Sequence, residues 1–207
     1  MQKLLSISGR EIVLISNSPT VSSVYYIFDK EVGGILINST GYSKDIELQL
    51  KQVGGVNFIF YPSYLGAKDV DLWRKALGAE TMATEAEQLA IQGVVDISID
   101  AKTKLTRTID FLTMAGRTRG SYALRLKNLP GAIFFGPILS PNQSGWPGLV
   151  ANDDDYSFES RMFGALALKD LKYDYAFTDS FTVGVTKYGP EASRHINSEI
   201  ESALDLD

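Results

Sequence analysis

The sequence predicts a mixed α/β fold in which two β-sheets pack together and helices cover their outer faces. In the first third of the chain, short β-branched and aromatic segments alternate with glycine-containing turns, a pattern typical of an antiparallel meander. Helical patterns follow, then further strands, then more helical patterns, with no short repeat of fixed period. Elements in this order are expected to form two sheets with helices outside.

The first half of the chain contributes strands and three helices to this prediction. Strands are expected at residues 4–7, 12–15, 24–28, 35–37 and 56–61. A first helix begins at the N-cap Ser43 and ends at Gly54, because glycine supplies the positive φ of a helix end. A second helix covers residues 69–77, and the segment from Thr84 to Glu87 fits the capping box of a short third helix.

The second half repeats the order of strands followed by helix. Strands are expected at residues 94–99, 106–114, 122–126, 132–135 and 175–178. A helix is expected over residues 157–171. Pro190 in a first helical turn is expected to open the C-terminal helix, because its fixed φ suits that position.

The composition favours a single domain, residues 1–207, with a sizeable core. Of the 207 residues, 44% are hydrophobic and 22% are charged, and no linker rich in proline, glycine or charge divides them. The net charge is -5, and the 20 lysines and arginines are scattered along the chain. No basic stripe is present, so we do not expect nucleic acid as a partner.

Cysteines and long apolar runs are both missing from the sequence. Without cysteine, disulfides, thiolate zinc sites and a cysteine nucleophile are excluded. The apolar stretch after Met1 is too short for the core of a signal peptide, and no run is long enough to span a bilayer. We therefore expect a soluble, cytoplasmic protein with no membrane span.

An octet in the second half carries the most informative motif. Residues 114–121 read Met-Ala-Gly-Arg-Thr-Arg-Gly-Ser. This segment resembles the Thr-Pro-Gly-His-Thr-Pro-Gly-Ser turn of the metallo-β-lactamase superfamily, in which the histidine binds metal. It keeps both glycines, the threonine and the serine, and Arg117 stands at the position of the histidine.

Other fragments resemble the same family in the same order along the chain. Residues 133–137 are similar to a strand that ends Leu-Phe-Thr-Gly-Asp, with Pro137 in place of the metal-bridging aspartate. Residues 55–60 resemble the strand before the family's His-x-His-x-Asp-His motif, but residues 61–69, which replace that motif, contain no histidine. The segment 178–180, Thr-Asp-Ser, replaces the final Pro-Gly-His turn.

The resemblance runs from about Val24 to the C-terminal helix and implies the four-layer αββα sandwich of that family. It also implies that the metal site is lost, and Asn38 stands where the family has an earlier aspartate. A catalytic zinc needs about three protein ligands, whereas this chain has one histidine. That residue, His195, is expected on a solvated face of the C-terminal helix. We do not expect it to act as a general base, because the resemblance implies a pocket formed by the loops of the lost ligands and not by this helix.

Two further groups have both a structural and a chemical interpretation. The run 153–155, three aspartates, is expected to be a solvated loop that leads into a helix, because it lacks the spaced ligands and the glycine of a calcium loop. Ser63, Ser121 and Ser180 could act as nucleophiles, but no Gly-x-Ser-x-Gly elbow accompanies them. We therefore do not expect serine hydrolysis.

Arg117, Arg119 and Lys68 place cationic side chains where the resemblance implies bound metal cations. If they point into the former cleft, they could hold phosphate or carboxylate through charge-assisted hydrogen bonds. The alternative is that Arg117 fills the vacated space and pairs with Asp179 or another acid.

The function predicted from these observations is binding. We expect a catalytically inactive, metal-free pseudoenzyme without a cofactor, which binds a protein partner or a small anionic ligand. The sequence leaves open whether the chain forms homo-oligomers. The alternative is a metal-independent hydrolase or lyase that uses polar side chains of the former cleft. Rings of two tyrosines are expected to fill much of that cleft. The expected ligand-binding residues are Tyr61, Ser63, Tyr64, Lys68, Arg117, Arg119, Asp179 and Ser180.

Overall fold

A computed structural model describes residues 1–18 and 21–204 and shows a sheet of seven strands that follow one another in sequence order. The strands are β1 (Gln2–Ile7), β2 (Arg10–Ser18), β3 (Val21–Asp29), β4 (Gly33–Ile37), β5 (Phe58–Phe60), β6 (Glu80–Thr84) and β7 (Ile97–Ile99). The first four pair antiparallel, which confirms the predicted meander. From β4 to β7 the pairing is parallel, because helices or long loops connect these strands.

A second sheet has four strands in the order β13-β10-β9-β8. Its strands are β8 (Ile109–Thr113), β9 (Tyr122–Leu126), β10 (Ala132–Phe134) and β13 (Tyr175–Phe177). A small hairpin of β11 (Ser140–Pro141) and β12 (Pro147–Gly148) stands apart from both sheets.

Five α-helices complete the described fold: α1 (Lys44–Gln52), α2 (Val70–Leu77), α3 (Glu85–Gln88), α4 (Phe158–Leu166) and α5 (Ala192–Leu204). The predicted N-cap of α1 is confirmed, since the Ser43 side chain accepts a hydrogen bond from the Ile46 amide. Thr84 caps α3 in the same way. Among the described residues, no helix combines the length and the apolar character that a membrane crossing requires.

The two sheets pack face to face, and helices cover their outer faces. The core between the sheets contains side chains from both, such as Phe60 and Phe134. A second cluster joins the outer face of the first sheet to α1 and α2 through Leu50 and Trp73. A third joins the outer face of the second sheet to α4 and α5, where Ile196 is buried. The predicted αββα sandwich is therefore confirmed.

Several element boundaries differ from the predictions for local reasons. The predicted helix 157–171 ends at Leu166 and continues only as a 3-10 turn, Ala167–Asp170. The C-terminal helix begins at Ala192 instead of at Pro190, because Glu191 has a φ of 76° that no helical residue adopts. Strand β7 is also shorter than predicted and begins at Ile97.

The two glycines of the octet are held for different reasons. Gly116 has a φ of +131°, and a Cβ there would lie 2.4 Å from the Arg161 backbone nitrogen. Gly120 has no positive φ, but a Cβ there would lie 2.6 Å from the Thr84 hydroxyl and from Ala86. Close approach of neighbouring loops, and not backbone conformation, therefore selects glycine at position 120.

Replacing either octet glycine should destabilise the fold. Gly116→Ala combines a strained backbone with a steric clash, so we expect a loss of about 1–3 kcal/mol in the free energy of unfolding by urea. Gly120→Val should cost a similar amount through the clash alone. Gly164→Ala in α4 is the matched control, because its nearest neighbour would be at 3.6 Å, and it should not lose stability. Equal stability of all three variants would show that the turn is not tightly packed.

Candidate functional site

The loops after β4, β5, β10 and β13 meet at one edge of the two sheets. Asn38, directly after β4, donates a hydrogen bond from its side-chain amide to the Asp179 carboxylate, at 2.7 Å. The Asp179 amide donates to the Gly136 carbonyl, which follows β10, at 2.9 Å. The Ser39 amide donates to the Gly66 carbonyl in the loop after β5, at 2.8 Å. These contacts define the former cleft as a packed junction between the sheets.

Asn38 is the centre of this junction. It is fully buried and has a φ of 64°, a left-handed conformation that asparagine tolerates better than most residues. Its amide donates to the Ser23 carbonyl at 2.9 Å as well as to Asp179. The Ser23 amide in turn donates to the Asp179 carbonyl at 2.6 Å. Strands β3, β4 and β13 are therefore tied together at their ends.

The space around the pair is filled by the protein's own residues. Gly66 lies so close to Asn38 that a Cβ there would be 2.0 Å from its Oδ1. Gly136 lies against the Pro62 ring, and a Cβ there would be 2.4 Å from the proline Cβ. Small residues on one side and a ring on the other thus close the cleft, and we expect no ligand to enter it.

The Asp179 carboxyl is buried without full hydrogen bonding. Its Oδ2 and the Oδ1 of Asn38 have no hydrogen-bond partner among the described residues. Burial raises the pKa of Asp179 to about 6, although hydrogen bonds from Asn38 and Ser22 oppose this shift. Burial and the nearby Asp179 charge also raise the pKa of Tyr25, whose hydroxyl donates to the Thr178 carbonyl at 2.6 Å. Burial therefore favours the neutral form of Asp179 more strongly in the folded protein than in the unfolded chain.

Four predicted site residues lie on the loop after β5, but they do not converge on one point. The Tyr61 ring is buried and its hydroxyl lies 3.2 Å from the Ser39 hydroxyl. Ser63 is fully buried, and its hydroxyl has no partner among the described residues. Tyr64 and Lys68 are exposed. The predicted filling by rings thus applies to Tyr61 only.

Glu87 organises this region, and we did not predict its role. The capping box predicts that its carboxylate reaches back to the start of α3. Instead, its Oε2 accepts the Tyr64 amide at 2.8 Å and its Oε1 accepts the Gly120 amide at 2.7 Å. The Thr84 side of the box does form, with the Glu87 amide 3.4 Å from the hydroxyl. Glu87 therefore links the loop after β5 to the octet.

Arg117 does not lie on the floor of the cleft. Its guanidinium pairs with Asp154 at 2.9 Å and lies 3.6 Å from the Asp155 carboxylate, so its partner is another acid and not Asp179. Arg119 and Ser180 are exposed. The pairing with another acid, which was the alternative interpretation, describes Arg117 correctly.

The acidic run owes its position to Arg161, which is completely buried in α4. Arg161 forms an ion pair with Asp155 and donates hydrogen bonds to the Ile138 and Val150 carbonyls. Asp155 is therefore buried instead of solvated, contrary to our expectation for this run. Asp154 remains exposed and neutralises Arg117. Arg117 is drawn away from the cleft by these acids.

Comparison with solved structures finds the same fold in metallo-β-lactamases. A B3 enzyme with an active-site glutamic acid shares 17% identity over 93% of this chain and 88% of its own, with a TM-score of 0.60. One from Cronobacter sakazakii with an HARLDQ motif shares 13% over 90% and 88%, with a TM-score of 0.64. One of subclass B3 from Bradyrhizobium japonicum shares 15% over 89% and 88%, with a TM-score of 0.57. This chain has the metallo-β-lactamase fold. No protein-family model and no curated protein matches it.

The residues at this site do not fit the metal centre that the fold implies. Pro62, Gly66 and Pro137 offer no side-chain donor, and Arg117 is a cation. Asp179 alone supplies a carboxylate, which is engaged by Asn38. Across residues 1–18 and 21–204, no three histidine, aspartate or glutamate side chains are grouped so that they could hold a metal ion.

His195 is not part of this junction. It is on α5, as expected, but it is half-buried, and its ring stacks on Trp146 with 4.0 Å between centroids. The expected solvated face is therefore wrong for this residue, because the β11–β12 hairpin brings Trp146 over the helix.

The buried Asp179 should make stability depend on pH. Its pKa of about 6 in the folded protein exceeds the value of about 3.9 for an unfolded chain, so its contribution to stability is complete below pH 4 and is lost as pH rises through 6. Asp179→Asn removes this titration. The stability of the variant relative to the parent should therefore increase by about 2–3 kcal/mol between pH 4 and pH 7.

Urea unfolding at several pH values measures this difference. Asp154→Asn is the control, because Asp154 is exposed and its pKa is lowered by the hydrogen bond from Arg117. A constant difference between Asp179→Asn and the parent across this range would contradict the assigned titration.

The two arginines near the acidic run should differ in their contribution to stability. Arg117→Ala breaks a pair whose Asp154 side chain is 72% exposed, so we expect a loss of about 0–1 kcal/mol in the free energy of unfolding. Arg161→Ala leaves Asp155 buried without its partner and should cost about 3–5 kcal/mol. Equal losses in urea unfolding would contradict the assignment of the buried pair.

Proposed function

We propose that this chain is a metal-free, catalytically inactive protein that binds a protein partner through the rim of its filled cleft. The observation that carries the proposal is that the cleft is closed by Pro62, Gly66 and the Asn38–Asp179 pair, whereas segments linked to it expose large apolar side chains. We define the rim by three of these: Tyr64, Leu89 and Tyr156.

The rim side chains are unusually exposed for their size and belong to linked loops. Tyr64 is 41%, Leu89 is 83% and Tyr156 is 63% exposed. Glu87 connects the Tyr64 loop to the octet, and the Tyr156 amide donates to the Arg117 carbonyl of the octet at 3.4 Å. Exposed aromatic and aliphatic side chains on linked segments are typical of a protein-protein contact.

Affinity capture from the native organism with matched variants tests this proposal. The rim variant carries Tyr64→Ser, Leu89→Ser and Tyr156→Ser. The control variant carries Leu48→Ser, Val53→Ser and Leu129→Ser, which alter side chains of 48%, 41% and 63% exposure away from the rim. We expect one protein to be captured by the parent and by the control, and its affinity for the rim variant to fall at least about tenfold in calorimetry.

Two results would contradict the proposal. A partner that binds the rim variant as well as the parent would place the contact elsewhere, and capture of no partner would remove the proposed role. Light scattering of the purified parent tells whether the captured protein is a second copy of this chain.

A small anionic ligand is a second candidate, supported by one feature of the rim. A pocket of about 420 Å³ is lined by Tyr64, Lys68 and Asp69 among others, and no ion pair of Lys68 is found within residues 1–18 and 21–204. Phosphate, sulfate or citrate at millimolar concentration should then raise the melting temperature of the parent and not of Lys68→Met, with Lys172→Met as control. An equal response of all three proteins would contradict binding at this lysine.

The alternative of a metal-independent hydrolase or lyase has less support. Ser63 is fully buried, and its hydroxyl has no partner in the described part of the chain, so no base activates it. The one histidine of the sequence, His195, is stacked on the Trp146 ring.

A further inference from the structure

A second depression, away from the rim, lies between β1 and the segment after β13. We call it the Trp146 groove. It has a volume of about 640 Å³, which is within the range of small-molecule sites. Leu4 of the edge strand β1 forms one wall, and Val183 and Val185 form the other. Trp146 and Lys187 lie in its lining as well.

Two apolar side chains in the lining of the groove are exposed to solvent instead of packing in the core. Val183 is 45% and Val185 is 64% exposed, on a turn fixed by hydrogen bonds between Thr182 and Thr186. Exposure of these β-branched apolar side chains to water is unfavourable, and a ligand that covered them would gain free energy from their burial. An apolar ligand body of matching length would cover both valines.

The floor of the groove continues the core between the sheets. Phe181 is buried there, and Tyr188 packs on Phe177 with ring centroids 5.2 Å apart. The Tyr188 hydroxyl donates to the Leu4 carbonyl at 3.2 Å, which fixes the floor to the edge strand. An apolar ligand in the groove would therefore extend an existing core instead of resting on a mobile surface.

One cation marks the polar end of the groove. The Lys187 ammonium lies 5.6 Å from the centroid of the Trp146 ring, and no ion pair of this lysine is found among the residues that the structure describes. Glu191, the acid in the lining, is 3.4 Å from Arg194. His195 stacks on Trp146 and holds the ring in place. The groove thus combines apolar side chains with one lysine that has no ion pair in the described part of the chain.

We propose that the Trp146 groove binds a small amphipathic organic anion. The apolar body of the ligand packs between Leu4 and the two valines, and its anionic head pairs with Lys187. A charged head next to an aromatic ring and a cation is partly desolvated, so the pairing contributes specificity as well as affinity. This site is independent of the proposed rim, since none of the rim residues lines it.

Tryptophan fluorescence of the full-length protein tests the proposal with octanoate as the probe. The chain has two tryptophans, and Trp73 is buried at 1% exposure, so a response on titration reports on Trp146. We expect saturable one-to-one binding of octanoate. Acetate, which lacks the apolar body, and 1-octanol, which lacks the charge, should each bind at least tenfold more weakly. Trp146→Phe should abolish the signal.

Variants locate the two ends of the site. Lys187→Met and Val185→Ser should each weaken octanoate binding about tenfold, whereas Lys172→Met, an exposed lysine elsewhere, should not. Isothermal titration calorimetry measures the same octanoate affinities independently of tryptophan fluorescence. The rim variant should bind octanoate normally, so a failure of the rim proposal leaves this one intact.

Three results would overturn the proposal. One is the lack of saturable octanoate binding, and another is an equal affinity for octanoate and 1-octanol. The third is a captured protein partner that is lost in Lys187→Met while octanoate does not bind, which would assign the groove to a protein contact.

Discussion

The hydrogen bond between the Asn38 amide and the Asp179 carboxylate joins the end of β4 in one sheet to the end of β13 in the other. It lies at the edge where the metallo-β-lactamase fold implies a metal centre, and it connects the loops there. Gly66 and Gly136 lie around this pair, where a Cβ on either glycine would collide with Asn38 or with Pro62. Both the geometry of the junction and its lack of ligand space follow from this one contact.

This connection has a cost that a surface contact would not have. Asp179 is removed from water, and one of its oxygens has no partner within the described part of the chain. The pKa of its carboxyl therefore rises to about 6, and ionisation near neutral pH works against folding. The surrounding core between the two sheets provides the stability that offsets this cost, since both faces of each sheet are buried.

Much of the fold could be predicted from the sequence because it depends on local patterns. Strand alternation, the Ser43 cap and the order of the elements are all encoded within short segments. The partners of Arg117 could not be predicted, because Asp154 is 37 residues away and its neighbour Asp155 is held by the buried Arg161. The resemblance identified the octet that contains Arg117, but it did not predict the direction of the Arg117 side chain.

The two proposed binding surfaces differ in how far they could be predicted from the sequence. Tyr64 and Lys68 were singled out because they replace a metal motif. The Trp146 groove gave no sequence signal, since its walls come from opposite ends of the chain, Leu4 and Val185, and meet only in the folded protein. Exposed apolar residues become informative only when their neighbours in space are known.

Zinc titration into the purified protein tests the central claim most directly, because it asks whether this junction can still act as a metal centre. We expect no saturable binding near one equivalent in calorimetry and the same melting temperature with zinc and with EDTA, since the donor set is too small. Binding of about one equivalent of zinc that raises the melting temperature in the parent, and is lost in Asp179→Asn, would contradict the account.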